Sequence, residues 1–309
     1  MIQTPLTAWL GPFETPMLPI GGPFTLSPFG VLVAIGFAVG LSLAKQRARA
    51  QMLDDRLIQG TLPWLVLGAL VGGHWGHALF YEPGHYLENP IELLYFWEGL
   101  SSTGGFLACI VLMLFYFRRA KKPFLPYGDC LAYSLPAGFF FGRLGCFAVS
   151  DHPGTLSDFP LAVRGIHPMP RVLCLENGID YGGEPLNTAC QAFHNQTALH
   201  DLGLYEALFM GALAGVFGLL NRAPRRPGFF LGLLALSYGT VRFFLDFLRS
   251  PYGPDVRYQL GPFPPFTPAQ FFCLGLVVLG FWVINCNWGL KQDAQHVLKG
   301  SSAAKKEVL

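Results

Sequence analysis

The sequence predicts an all-α polytopic membrane protein with seven transmembrane helices and an external head region inserted between helices four and five. Three observations carry that prediction. First, 52% of the 309 residues are hydrophobic and only 13% are charged. That is about half the charge of an ordinary soluble domain, and the mean hydropathy of +0.40 agrees. Second, seven apolar runs approach the roughly 20 residues needed to cross a bilayer core. Third, lysine and arginine cluster on one side of those runs. The same composition excludes a disordered chain, which needs low hydrophobicity and high charge, and argues against a single soluble enzyme domain. A net charge of +2 provides no basic surface for nucleic acid.

Residues 1–25 precede the first span. Met1–Gly22 lacks a basic leader and opens with several prolines, so no cleavable signal peptide is expected there. The seven spans are read as Leu26–Ala44, Thr61–Tyr81, Leu100–Phe117, Tyr127–Val149, Leu204–Leu220, Gly228–Phe247 and Phe266–Trp288. A shorter run, Pro90–Trp97, cannot span and suits an interfacial or re-entrant helix.

Orientation follows from the loop cations, which resist translocation. Lys45, Arg47, Arg49 and Arg56 follow span one, and Arg118, Arg119, Lys121 and Lys122 follow span three. Arg222, Arg225 and Arg226 follow span five, and the tail holds Lys291, Lys299, Lys305 and Lys306. Those 15 lie on one side; Arg164, Arg171 and Arg257 make three on the other. The N-terminus is therefore expected outside and the C-terminus in the cytoplasm. Residues 26–289 form the transmembrane domain, 150–203 an inserted external region, and 290–309 a cytoplasmic tail.

Of the seven cysteines, Cys109, Cys130, Cys273 and Cys286 lie in or near spans and read as packing residues. Cys174 and Cys190 share the external region, where a disulfide is chemically allowed. No Cys/His spacing reads as a zinc site, and His167 and His194 are isolated in a loop.

Ionisable residues inside spans are costly and mark candidate sites. Arg143 sits between Gly142 and Gly145 near the outer end of span four, with Asp151 and His152 just beyond. Its guanidinium can hold a phosphate in two-pronged fashion or snorkel to the interface. Arg242, Asp246 and Arg249 share one face of span six. They read as an internally neutralised pair or as a second cationic contact to an anionic head group. His74 and His77 share a face of span two, as general bases or hydrogen-bonded packing residues. Glu206, at the mouth of span five beside His200 and Tyr205, either orients an arginine or is solvated. Ser101-Ser102-Thr103-Gly104-Gly105 opens span three as a helix cap, a close-packing motif or a pocket wall. Gln270 lies just inside span seven. Together these residues suggest a site for a phospholipid head group near the outer leaflet, with membrane lipids as neighbours.

Five segments, in order, resemble the bacterial prolipoprotein diacylglyceryl transferase family. Gly142-Arg143-Leu144-Gly145-Cys146-Phe147, with Asp151 and Gly154 downstream, is similar to the family signature Gly-Arg-x-Gly-Asn-Phe followed by Asn, Glu and Gly. Gly72 to Tyr81 resembles its second-helix motif, and Trp97 to Gly105 its Ser-x-His-Gly-Gly type motif. His200 with Leu204-Tyr205-Glu206 resembles its His-Pro-x-Gln-Leu-Tyr-Glu segment. Tyr238-Gly239 with Arg242, Phe243, Asp246 and Arg249 resembles its sixth-helix motif.

The resemblance implies seven transmembrane helices with a periplasmic head domain, in a bacterial inner membrane. It implies transfer of a diacylglyceryl group from phosphatidylglycerol to the lipobox cysteine of a preprolipoprotein signal peptide, without metal or soluble cofactor. On the resemblance and the reading of the span residues together, Arg143, Arg242, Asp151, Glu206, His74 and His77 are expected to be catalytic. Arg143, Thr103, Gly104, Gly105, Gly142, Gly145, Cys146, Tyr238, Arg249 and Gln270 are expected to bind substrate.

The departures concern the chemistry. Thr103 stands for the family's histidine, Cys146 for its signature asparagine, Asp151 for its glutamate and His74 for a second-helix arginine. Phe29 lacks the aromatic hydroxyl usual in its first helix, and Asp201-Leu202-Gly203 replaces Pro-x-Gln. Thr103 is no base at neutral pH, so His74, His77, His152 or His200 must supply any that is needed. Two other readings stay open: a paralogue using the same lipid pocket on another acceptor, or without turnover, and a multi-pass transporter.

Overall fold

The computed structural model describes residues 18–21, 24–96, 99–164, 198–249, 258–259, 262 and 265–286. Cys174, Cys190, His167 and His194 lie outside the described residues, as does the tail. A hairpin of β1 (Leu18–Gly21) and β2 (Phe24–Leu26) leads into α1 (Pro28–Ala50). Next come α2 (Asp55–Phe80), the short α3 (Pro83–Glu88), a 3-10 turn at Pro90–Leu94, α4 (Ser102–Arg119) and α5 (Phe124–Val149). Strands β3 (Pro153–Leu156), β4 (Val163–Arg164) and β5 (Ala198–Asp201) form a small antiparallel sheet in the order β3-β5-β4. Then follow α6 (Leu202–Leu220), α7 (Phe229–Leu245) with a 3-10 extension at Asp246–Leu248, and α8 (Pro268–Asn285).

Seven of these helices are long and apolar enough to cross a membrane: α1, α2, α4, α5, α6, α7 with its extension, and α8. They coincide with the seven expected spans to within about six residues. The architecture is therefore all-α and multi-pass, with the small sheet as an addition. The shifted ends have local causes. α1 continues through Lys45, Arg47 and Arg49 to Ala50, and Met52 then takes a positive φ of 57°. Asp54 starts α2 by accepting from the Arg56 N–H at 3.0 Å, an ordinary N-cap. Asp201 does the same for α6, accepting from the Leu204 N–H at 2.7 Å. The run Pro90–Trp97 is too short to span, as expected; its first five residues form the 3-10 turn.

The chain folds as two compact units. The first comprises Met1–Gly40, Leu135–Ala214 and Phe244–Thr267; the second Leu41–Ser134, Gly215–Phe243 and Pro268–Leu309. In the first, glycines bring α1 and α5 to backbone contact: a Cβ on Gly138 would lie 2.8 Å from the Gly36 carbonyl oxygen. Beside the sheet, Val163 and Leu204 pack with Phe147 and Tyr205.

The second unit has a core of Ala44, Ala48, Ile58, Met113, Phe117, Tyr127 and Cys130. There α2 carries one π turn at Gly68–Gly72, an insertion that often marks a functional region of a helix. Beyond it the backbones of Gly76 and Gly104 touch, so a Cβ on either would collide with the other helix. Large apolar side chains remain exposed on the long helices, among them Leu79, Leu219, Val278 and Phe281. Exposed apolar side chains along helices of this length suit immersion in lipid.

Candidate active site

In the first unit, Arg143 projects from α5 and is only 3% exposed. Its Nε lies 3.0 Å from Glu206 Oε2, in the second turn of α6, and both side chains are almost wholly buried. A guanidinium taken out of water needs such a counter-charge. Glu206 is therefore a buried partner of Arg143, and the alternative of a solvated Glu206 is corrected. Phe139, one helical turn before Arg143, places its ring 4.8 Å from the guanidinium carbon, within cation–π range.

The remaining edge of Arg143 meets the residues of its own signature. Nη1 lies 3.7 Å from Cys146 Sγ and 3.4 Å from His152 Nε2. The other ring nitrogen of His152 contacts Asp151 Oδ1. The series Asp151–His152–Arg143–Glu206 is thus continuous, and its Asp151 end is partly exposed. Cys146, Asp151 and His152 could each offer a ligand atom within 4.8 Å of the others. The guanidinium already occupies that neighbourhood, however, and like charge disfavours a metal cation beside it. The cluster suits an anion or a proton better.

The loop after α5 is held by backbone contacts. Gly154 bridges to Arg249, and a Cβ on Gly154 would stand 2.7 Å from the His200 Cβ. The Leu202 N–H donates to the His152 carbonyl at 3.2 Å. Gly145 admits Phe29, whose ring would lie 3.1 Å from an added Cβ, whereas Gly142 has open space at that position. Packing thus accounts for Gly145 and not for Gly142. Burial lowers the proton affinity of His152, as do the charges of Arg143 and Arg249, while Asp151 raises it. Asp201 is 1% exposed, and burial together with the charge of Asp151 pushes its pKa up to about 7.

In the second unit, Arg242 is 3% exposed. It lines a small pocket with Ser102, Thr103, Tyr238, Ala269 and Cys273, backed by aromatic rings. Tyr238 packs against Phe106 with ring centroids 5.9 Å apart. Gln270 is buried and donates from Nε2 to the Phe243 carbonyl at 3.2 Å. Ser101 caps α4 by accepting from the Gly104 N–H at 3.4 Å. Gly104 is spent on the crossing with α2, while Gly105 has only ordinary contacts near Ala69. Capping, packing and a pocket wall therefore coexist in this one motif. Asp246, in the first unit, accepts a hydrogen bond from the Thr267 hydroxyl.

The histidines of α2 have structural partners. His74 is fully buried with Nε2 3.0 Å from the Glu92 carbonyl oxygen. His77 Nε2 lies 3.6 Å from Glu82, and its ring stacks on Tyr81. Both support the packing reading. His200 Nδ1 lies 2.8 Å from the Tyr205 hydroxyl.

Sequence reasoning missed a second buried pair, Arg47–Asp129, at 3.0 Å. The charge rule counts Arg47 as a loop cation; the structure corrects this, placing it inside α1 at 5% exposure. The available signal was Asp129 itself, an acidic residue within an apolar run.

Comparison with known proteins extends the geometry. The sequence model of the prolipoprotein diacylglyceryl transferase family matches residues 16–286. A phosphatidylglycerol–prolipoprotein diacylglyceryl transferase of Ruegeria pomeroyi is 31% identical over 273 residues, 82% of this chain and 85% of that protein. The enzyme of the same name from Janthinobacterium sp. (strain Marseille) is 31% identical over 288 residues, 88% and 95% of the two chains. That from Solidesulfovibrio magneticus is 31% identical over 267 residues, 85% and 91%. Similarity of this extent runs from β1 through α8 and takes in every residue of both clusters, so the chain belongs to the prolipoprotein diacylglyceryl transferase family.

Proposed function

We propose that this multi-pass membrane protein is a transferase that moves the diacylglyceryl group of phosphatidylglycerol onto a prolipoprotein thiol. The acceptor is the lipobox cysteine of a preprolipoprotein signal peptide, and the reaction is the first step of lipoprotein maturation. The observation that carries this reading is the family match over residues 16–286, which includes the buried guanidinium of Arg143.

The chemistry asks for two things. The thiol must lose its proton and attack the glyceryl carbon, and the departing glycerol phosphate must be stabilised as its charge develops. Arg143, oriented by Glu206, is assigned to the phosphate. Arg249 is assigned as a further cationic contact in the first unit, and Arg242 as an anion contact in the second. Thr103, Tyr238 and Gln270 are assigned to substrate binding beside Arg242, and Gly142 to close approach beside Arg143. With the buried Arg47 set aside, fourteen Lys and Arg on one side against three on the other support a bacterial inner-membrane setting with the N-terminus periplasmic and the C-terminus cytoplasmic.

The test is reconstitution of the full chain in phosphatidylglycerol vesicles with a lipobox peptide. A peptide mass increase equal to one diacylglyceryl group is expected. It should vanish when phosphatidylethanolamine replaces phosphatidylglycerol or serine replaces the peptide cysteine. Unmodified peptide across a range of anionic lipids would sink the reading.

A further inference from the structure

The proposed transfer needs a base, and Thr103 stands where the family resemblance places a histidine. A hydroxyl takes no proton from a thiol near neutral pH, so the base lies elsewhere in this chain. Reacting atoms in a near-attack arrangement are about 3–3.5 Å apart. The sulfur attacks the glyceryl carbon opposite the departing oxygen, so its base belongs to the same site as the cation that receives the leaving phosphate. His152 meets that condition, with Nε2 3.4 Å from Arg143 Nη1. His74 meets a carbonyl oxygen, His77 a carboxylate and an aromatic ring, and His200 a hydroxyl.

The tautomer of His152 follows from its neighbour. Asp151 Oδ1 contacts Nδ1, and an ionised carboxylate only accepts. Nδ1 therefore carries the proton and Nε2 the lone pair, on the side that faces Arg143. The His152 side chain keeps 20% of its surface exposed and that of Asp151 40%, so an acceptor thiol can approach from solvent. We propose that Asp151 and His152 form the base dyad of this transferase, His152 Nε2 as the catalytic base and Asp151 as its positioning residue. The proposal rests on the transfer reading given above.

The step balances as follows. The S–H bond of the lipobox cysteine breaks and an N–H bond forms at His152 Nε2. The thiolate forms a C–S bond to the glyceryl carbon, and the C–O bond to phosphate breaks with its electron pair on oxygen. The imidazolium then returns its proton to the phosphate or to water. The groups around His152 are set for this cycle. Asp151 faces it from its own loop, Arg143 and Cys146 from α5, and Arg249 from the end of the α7 extension. Glu206 lies behind Arg143, and Asp201 is close enough to feel the charge of Asp151. Burial and the two arginines keep the resting imidazole neutral, which is the form a base requires. Asp151 and Glu206 offset the imidazolium and guanidinium once the proton arrives.

The experiment is the pH–rate profile of peptide modification by the reconstituted full chain, alongside His152→Gln and Asp151→Asn. The unmodified protein should show an acid limb below histidine's usual 6.5. His152→Gln should lower the rate by about 10²–10⁴-fold and abolish that limb. Asp151→Asn should move the limb to lower pH, because the carboxylate raises the proton affinity of His152. A His152→Gln enzyme that keeps both rate and limb overturns the dyad and leaves the transferase reading standing. If His152→Gln does not fold, the Asp151→Asn limb decides, and an unmoved limb overturns the proposal. An unmodified protein that transfers nothing removes the transferase reading, and the dyad with it.

Discussion

Arg143 and Arg47 are alike in burial and pairing and differ in company. Each lies 3.0 Å from a carboxylate, with side-chain exposures of 4% and 1% in both pairs. Around Arg47 the contacts are an amide, two rings and Asp129, with the buried Cys130 thiol within reach of its charge. Asn221 accepts from it, and the rings of Tyr133 and Phe230 flank it at 5.1 and 4.3 Å. Asp129 Oδ1 also accepts from the Phe230 and Leu231 N–H groups at 2.7 and 3.1 Å. These are donors that the first turn of α7 leaves without helical partners, so Asp129 pins a helix start and a guanidinium at once. Around Arg143 the neighbours include a histidine and a thiol, and beyond them a partly exposed aspartate. Burial and an ion pair are common to both cations; a histidine and an aspartate within reach of solvent set Arg143 apart.

The comparison can be broken most directly at Asp129. Asp129→Ala strands Arg47 without its counter-charge and should cost about 3–5 kcal/mol, read as a lowered melting temperature in detergent. The protein that remains folded should keep its specific transfer rate. A folded Asp129→Ala enzyme without activity would make Arg47 a second functional cation and end the contrast.

Arg143→Lys keeps the charge opposite Glu206 but loses the planar two-pronged donor. Its melting temperature should move little, while the transfer rate falls about 10²–10³-fold, comparable to losing one oriented donor at a developing oxyanion. An unchanged rate would reduce Arg143 to a structural role like that of Arg47.

A smaller effect sharpens the same lesson at a carboxylate with no ion pair among the described residues. Asp201 is raised from 3.8 to about 7 by burial. Between those values the folded state holds a proton that the unfolded state has released, so stability falls as pH rises and levels off above about 7. Asp201→Asn keeps the side-chain oxygen that caps α6 and removes the titration. It should match the unmodified protein at pH 4 and exceed it at pH 8 by on the order of 1–3 kcal/mol. Equal stability at both pH values would mean that Asp201 is solvated in the folded protein.

How much is legible in the sequence varies with the kind of information. The spans are legible because hydrophobicity accumulates along a contiguous run, and their ends shift only where a cap or a positive φ intervenes, as at Asp54 and Met52. Arg143 is legible because an arginine inside an apolar run is costly wherever it sits. Its partner is not: Glu206 reads equally well as a solvated mouth residue until α6 turns it inward. Arg47 escapes because the charge rule counts loop cations, and only the extension of α1 to Ala50 shows that this one is inside a helix. The motif around Gly104 carries three readings at once, and the contact with Gly76 shows that packing is among them.

By itself the sequence determined the class, the seven apolar crossings and the order of the family motifs, because those are properties of neighbouring residues. The tertiary structure decided which carboxylate each of Arg47 and Arg143 holds and which histidine stands beside Arg143. A charge removed from water must find its counter-charge in space, and Asp129 lies 82 residues along the chain from the arginine it neutralises.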